Sequence, residues 1–237
     1  MIDHSFLRHH KSTVNSKWGE DVAIVLGDYL YSVGFGLISS CQNTDVLSCI
    51  SQATRVMCEG ELIQVCERDN IDLLKKSYIT IVKNKTARLF AASCQAGAII
   101  ANCRKPVQMA FKEYGLNFGI AFQIVDDSLD LIARPEELGK SPGADFKVGE
   151  LTLPVLNLLS QYEDKRGIIS LIRQKHRTDA FREIRKKFIN SRAYLKTKED
   201  VWFYVRKAKR SLDGLEDSLF KQSLFELTDY VAGRMRA

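Results

Sequence analysis

The sequence predicts an all-α, single-domain helical bundle, and three observations point there. Apolar residues recur at spacings of three and four through most of the 237 residues, the signature of helices with one buried face. Strand-like alternation bounded by turn signals is not sustained anywhere. Finally, four prolines and 14 glycines are spread along the chain with no Ser/Gly/Pro-rich linker, so residues 1–237 read as one domain. A hydrophobic share of 45% is enough for one large buried core at this length.

Helical periodicity runs from Asp21 to Ser40 and from Asn43 to Arg68, then from Ile71 to Ile100 and from Lys105 to Ile132. Breaks fall where stop signals cluster, at Gln42-Asn43, Asp69-Asn70 and Cys103 to Pro106. Pro135 through Gly149 is the longest such stretch and follows the most acidic helix end. It places one functional loop between Arg134 and Leu151.

Composition narrows the function classes. The net charge of +6 is modest, and Arg182 to Lys187 and Arg206 to Arg210 read as solvated helix faces. The aromatics there fall at core-like spacing rather than as stacking platforms, so no nucleic-acid partner is expected. The opening Met1 to Lys17 is mostly polar and unlike a secretory signal. No apolar run reads as long enough to span a bilayer, so a cytoplasmic protein without a stable membrane anchor is expected. The six cysteines (Cys41, Cys49, Cys58, Cys66, Cys94, Cys103) contain no Cys-x-x-Cys pair and are expected to be buried, reduced thiols. Gly34-Phe35-Gly36 lies in a helical apolar run, which favours close helix packing over a dinucleotide fingerprint. His9-His10 reads as surface, because adjacent histidines point to different faces.

Chemistry is concentrated just before the loop. In the segment Gly115 to Asp130, residues Gly115, Gly119, Gln123, Asp126 and Asp130 share one helical face, small at one end and polar at the other. Asp126 and Asp130, with Asp127 beside them, repel one another unless a cation neutralises them. Mg²⁺ fits such a site, since it takes one or two carboxylates and completes its shell with water and phosphate oxygens. The glycines are expected to let a bulky apolar chain approach the helix backbone.

The run Phe122-Gln123-Ile124-Val125-Asp126-Asp127-Ser128-Leu129-Asp130 resembles the second aspartate-rich motif of trans-isoprenyl diphosphate synthases, of the geranylgeranyl and polyprenyl type. Gly139-Lys140-Ser141-Pro142-Gly143-Ala144-Asp145-Phe146, with Leu151-Thr152-Leu153-Pro154, is similar to the family's lysine loop and the start of its next helix. Gly27-Asp28-Tyr29-Leu30, Glu59-Gly60-Glu61-Leu62-Ile63-Gln64 and Lys85-Thr86-Ala87 match further segments in order. Several short motifs in one order weigh far more than any alone.

The resemblance implies a helical bundle of the isoprenoid synthase type that condenses isopentenyl diphosphate with an allylic diphosphate. An allylic diphosphate ionises, the isopentenyl double bond attacks the cation, and a proton is lost. By resemblance, Asp3, Asp126, Asp127 and Asp130 bind Mg²⁺. Lys85 and Lys140 hold the allylic diphosphate, Thr86, Gln123 and Gln64 line the reacting centre, and Arg8 contacts diphosphate. Asp145 orders the loop that carries Lys140, and a homodimer is implied.

The family's first motif, Asp-Asp-x-x-Asp followed by Arg-Arg-Gly, is represented here by Asp3 and Arg8, with His9 and His10 in place of the second arginine and the glycine. His is a poorer diphosphate clamp than Arg. Glu150 stands where many relatives have lysine. The chain therefore reads as an N-terminally truncated member lacking the first helices, with weak or no turnover expected from these 237 residues alone. The alternative is a non-catalytic subunit of a heteromeric prenyl diphosphate synthase. A carbocation-cyclising terpene synthase on the same fold fits Lys85-Thr86 and Gln123 less well.

Overall fold

The computed structural model describes residues 6–8, 11–73, 75–133 and 142–235, and it is helical throughout apart from one two-residue antiparallel ladder, β1 (Leu7–Arg8) with β2 (Lys11–Ser12). After α1 (Val14–Trp18) and α2 (Glu20–Ser40), Asn43 caps α3 (Thr44–Cys66) by accepting from the backbone N–H groups of Asp45 and Val46, each at 3.1 Å. The expected helix from Ile71 to Ile100 is broken into three pieces. A turn at Asn70 to Leu73 leads to α4 (Lys75–Val82), then one π-helical turn at Lys83–Ala87, then α5 (Arg88–Ile100). Next comes α6 (Lys105–Ile132), with the predicted bounds and Pro106 in its first turn.

The predicted functional loop is not wholly irregular. It contains α7 (Ala144–Val148), bounded by Gly143 and Gly149 at φ +74° and +86°, a left-handed backbone that glycine adopts without strain. The chain ends with α8 (Leu153–Leu159), α9 (Arg166–Arg173), α10 (Thr178–Ile189), α11 (Arg192–Ser211) and α12 (Leu219–Gly233).

α6 is the axis of the bundle. It touches the π turn and every helix from α4 to α12 except α9 in the principal contacts, and its side chains are buried on nearly all sides from Tyr114 onward, as a central helix requires. The main core runs from Leu73 to Met235 and includes Ile124, Val125, Leu153, Leu158, Ile184 and Phe188. A smaller cluster of Val46, Ala96 and Ile99 joins α3 to α5.

Three glycines set how closely these helices approach. A Cβ on Gly115 would lie 2.5 Å from the Phe90 carbonyl oxygen, and one on Gly119 would lie 2.7 Å from Ala87 Cα. A Cβ on Gly60 would lie 2.6 Å from the Lys85 nitrogen. The glycines of α6 thus admit the backbone of α5 and the π turn. This corrects the expectation that they admit a bulky apolar substrate chain.

Other expectations also change. α2 is long and apolar enough to cross a membrane by length and composition, because Glu20, Asp21 and Asp28 are its only charged residues. None of its residues is buried, and its principal contacts among the described elements are with α1 and α3. Gly34 and Gly36 have open space beside them, not a packed helix. All six cysteines are free thiols, but none is buried, and Cys41, Cys58 and Cys66 are exposed. Cys41 directly follows α2, and Cys58 and Cys66 lie on α3 where the described chain leaves them uncovered, whereas Cys49 of α3 meets Gln95 of α5.

Gly115→Ala forces a methyl against backbone that cannot rotate away, so it is expected to lower unfolding free energy by about 1–3 kcal/mol. Gly167→Ala, at an open helical position, is expected to leave stability unchanged or raise it by up to about 1 kcal/mol. Urea denaturation of the two variants measures the contrast.

Candidate active site

Between the C-terminal half of α3, the α4 to π-turn segment and the C-terminal third of α6 lies a narrow cleft of about 30 Å³. Gln64, Tyr78, Lys85, Thr86, Gln123, Asp127 and Glu150 line it, with Ile81, Val82 and Leu151 as apolar wall. The π turn is the local device that builds this wall. One extra residue in the turn rotates Lys85 and Thr86 relative to a regular α register, while Gly60 lets α3 press against the same backbone.

A continuous hydrogen-bond chain crosses the cleft floor. Thr86 Oγ1 donates to Gln123 Oε1 at 2.8 Å, Gln123 Nε2 donates to Asp127 Oδ1 at 2.7 Å, and Tyr78 OH donates to Asp127 Oδ2 at 2.5 Å. Asp127 and Tyr78 are both buried. Burial pushes the Asp127 carboxyl up to about 7, with Asp126 adding to the rise, while the hydrogen bonds from Tyr78 and Gln123 and the charge of Lys85 oppose it. Burial, followed by the charge of Asp127, likewise holds the Tyr78 phenol well above its ordinary range.

At the cleft mouth, cations and carboxylates are matched. Lys85 Nζ lies 2.9 Å from Glu61 Oε2. The buried Glu150 accepts from Gln64 Nε2 and, at 3.0 Å, from Arg68 Nη2. The loop is fastened on both sides. Asp130 accepts from the Asp145 N–H at 3.2 Å through its carboxylate and from the Gly143 N–H at 3.0 Å through its backbone carbonyl. At the far end, Asp69 N–H donates to the Gly149 carbonyl at 2.8 Å, and Lys175 Nζ holds the Asp69 carboxylate at 2.5 Å.

Of the residues singled out in the sequence, Gln64, Lys85, Thr86, Gln123 and Asp127 meet in this cleft. Asp126 is half-buried and Asp130 buried; both lie on α6 outside the cleft lining. Arg8 is exposed on β1 and does not line the cleft. Asp3 and Lys140 lie outside the described residues. Sequence reasoning missed Tyr78 and the Arg68 partner of Glu150. Tyr78 falls one helical turn plus three residues before Lys85, a spacing that looked like ordinary core.

The acidic end of α6 offers hard oxygen donors on one side of a helix, which suits a cation held by one or two carboxylates and completed by water and phosphate. Among the described residues, no three acidic, His or Cys side chains converge as a closed metal site. The donor set therefore fits a Mg²⁺ shared with a phosphorylated ligand, and does not fit an ion caged by protein alone.

A carboxyl raised in the folded state stabilises it below the unfolded-state value, and that contribution is lost as pH rises through the folded-state value. In metal-free protein, stability is therefore expected to fall between about pH 4 and pH 7 by a few kcal/mol, given ~1.4 kcal/mol per pKa unit. Asp127→Asn is expected to remove that slope in denaturation curves collected across the range.

Residues 1–188 match the Polyprenyl synthetase family model. Octaprenyl diphosphate synthase of Escherichia coli is 35% identical over 159 residues, which cover 67% of this chain and 49% of that protein. The chain thus spans about half the length of this curated relative. Heptaprenyl diphosphate synthase component 2 of Bacillus subtilis is 30% identical over 99% of this chain and 67% of its own length. The structure of a polyprenyl synthase from Caulobacter crescentus, complexed with calcium and isoprenyl diphosphate, superposes with a TM-score of 0.95 at 33% identity, covering 99% of this chain and 73% of that one. An all-α bundle with its aspartate-rich motif at the end of a central helix, matched over most of its length by these proteins, belongs to the polyprenyl synthetase family.

Proposed function

We propose that this protein is a cytoplasmic prenyltransferase, one domain over residues 1–237, which condenses isopentenyl diphosphate with an allylic diphosphate to give a longer polyprenyl diphosphate. The observation that carries the reading is the cleft in which Lys85, Thr86 and Gln123 face one another beside the acidic end of α6. In the reaction, the allylic C–O bond breaks and its electron pair leaves with the diphosphate. The isopentenyl double bond then forms the new C–C bond, and a proton departs to restore an alkene.

Each described residue has a place in that sequence. Lys85 supplies fixed positive charge for the departing diphosphate, at the cost of competing with Glu61 for the same ammonium. The Thr86 hydroxyl donates to Gln123, so its lone pairs are left to face developing positive charge in the cleft. Ile81, Val82 and Leu151 give the cleft an apolar wall, which limits capture of the cation by water. Mg²⁺, held by Asp126 and Asp130 with Asp3, would neutralise the diphosphate as it leaves. Lys140 and Arg8 complete the diphosphate contacts in this reading.

A second reading has specific support. Lys85 is ion-paired with Glu61 and Arg68 with Glu150, so the cleft mouth is close to neutral where a diphosphate clamp requires net positive charge. That would suit a non-catalytic subunit, and the Bacillus subtilis relative is named as a component. In either reading, α2 is buried on no side and leaves Tyr29, Leu30, Tyr31 and Leu37 exposed, more apolar surface than a monomer ordinarily leaves in water. We read this face as covered by a second copy.

Incorporation of labelled isopentenyl diphosphate into an allylic primer tests the catalytic reading. Weak Mg²⁺-dependent elongation is expected from these 237 residues, lost on chelation and reduced at least 100-fold by Lys85→Ala, on the scale of removing one electrostatic stabiliser. Absence of elongation by a folded protein that still binds a full-length synthase would favour the subunit reading. Light scattering is expected to give the mass of a dimer, and Leu30→Glu with Leu37→Glu to give the monomer.

A further inference from the structure

We propose that Tyr78 and Asp127 form a buried positioning pair that sets the orientation of Gln123 and Thr86, and that Asp127 is not itself a metal ligand. The inference rests on the prenyl-transfer reading for its catalytic consequence, and on geometry alone for its structural one.

Asp126, Asp127 and Asp130 look equivalent in sequence as candidate ligands, but the fold separates them. Asp127 is 5% exposed, and each of its oxygens accepts a short hydrogen bond from within the protein, Oδ2 from Tyr78 at 2.5 Å and Oδ1 from Gln123 at 2.7 Å. Each oxygen keeps a further lone pair, but Asp127 is buried and the cleft beside it holds only about 30 Å³, too little for an ion that retains several waters and a diphosphate. Asp126 has neither constraint and is half-buried on α6, outside the cleft lining.

The direction of donation matters as much as the contact. In its ionised form Asp127 only accepts, so it turns the Gln123 carboxamide with its NH₂ inward and its oxygen toward Thr86. That oxygen then takes the Thr86 hydroxyl proton. Every donor in the chain points toward Asp127, and the end that meets the cleft displays lone pairs. Tyr78 completes the arrangement from the opposite side. Without its hydroxyl, Oδ2 is left buried with one fewer donor, and the carboxylate is free to turn. Tyr78 is held for this task by α4, whose Ile81 and Val82 are fixed in the core.

Three variants separate this from a metal-ligand role. Titration calorimetry with Mg²⁺ and inorganic pyrophosphate is expected to give Tyr78→Phe and Asp127→Asn within about twofold of wild type, and Asp126→Asn weaker by about tenfold or more. In elongation assays, Tyr78→Phe and Asp127→Asn are expected to lower kcat by about 10- to 100-fold, the scale of a misplaced reacting group, with KM for both diphosphates unchanged. The Gln123 side-chain amide resonances are expected to shift in both variants.

Weakened Mg²⁺–pyrophosphate binding in Asp127→Asn, unchanged kcat in Tyr78→Phe, or unmoved Gln123 resonances would each overturn the assignment. If wild type elongates nothing, the prenyl-transfer reading fails, while the calorimetry still judges this one. If wild type also binds no Mg²⁺–pyrophosphate, the resonances alone decide it. Should Tyr78→Phe not fold, Asp127→Asn carries the same comparisons.

Discussion

Everything the cleft does depends on how closely α6 lies against α5 and the π turn. Packed helices normally keep their axes about 8–10 Å apart, a spacing set by the side chains between them. Here Gly115 and Gly119 have no side chain to insert, and the Phe90 carbonyl and Ala87 backbone occupy the space. That approach brings the Thr86 hydroxyl within 2.8 Å of Gln123, a distance that one added methyl layer would open beyond hydrogen-bond reach. Gly60 does the same for α3 against Lys85. The site is thus fixed by backbone contact among three helices and not by flexible side chains adjusting to one another.

Such a scaffold allows a buried carboxylate that would otherwise be costly. Isolating a charge from water is strongly unfavourable unless donors replace the lost hydration. Asp127 has two donors, Gln123 on α6, which the glycine contacts hold, and Tyr78 on α4, which Ile81 and Val82 fix in the core. The polar chain and the close packing therefore require each other. Loosening the helices would leave the carboxylate unsatisfied, and losing the carboxylate would leave Gln123 free to flip. At the cleft mouth the logic differs, since Lys85 and Glu61 are both only partly buried, and Arg68 stays partly exposed as it reaches the buried Glu150. Pairs of that kind contribute little to stability, and an incoming anion can compete for them.

Much of this was legible in the sequence, and the exceptions have physical causes. The bounds of α6 followed from uninterrupted 3.6-residue periodicity, with a proline at its start and stop signals after it. The break between α4 and α5 was invisible, because a π turn keeps apolar residues facing the core and changes the register by a single residue, which periodicity averages away. Tyr78 resembled any core aromatic, since sequence cannot show that its hydroxyl finds Asp127, 49 positions distant. The glycines of α6 were read as substrate space because nothing in their spacing says which surface they meet. The exposure of α2, of Cys41 just after it and of Cys58 and Cys66 on α3 escaped for the opposite reason. Amphipathic and apolar patterns report that a face seeks cover, and they do not report whether the same chain provides it.

The loop after α6 shows how one motif organises its own surroundings. Asp130 spends its Oδ2 oxygen on the Asp145 N–H, and its backbone carbonyl takes the Gly143 N–H. The start of α7 is therefore tied to the acidic helix end itself. Gly149, left-handed at φ +86°, then turns the chain so that its carbonyl meets the end of α3 and Glu150 reaches Gln64 and Arg68. A Cβ there would fall 2.3 Å from the Asp69 carboxylate, so the turn tolerates no other residue without displacing that clasp. Three neighbouring aspartates thereby end in three different settings. Asp126 stays half-buried outside the cleft lining, Asp127 takes the buried hydrogen bonds from Tyr78 and Gln123, and Asp130 anchors the loop. Equal residues become unequal because the helix presents each to a different partner, which a motif written as letters cannot express.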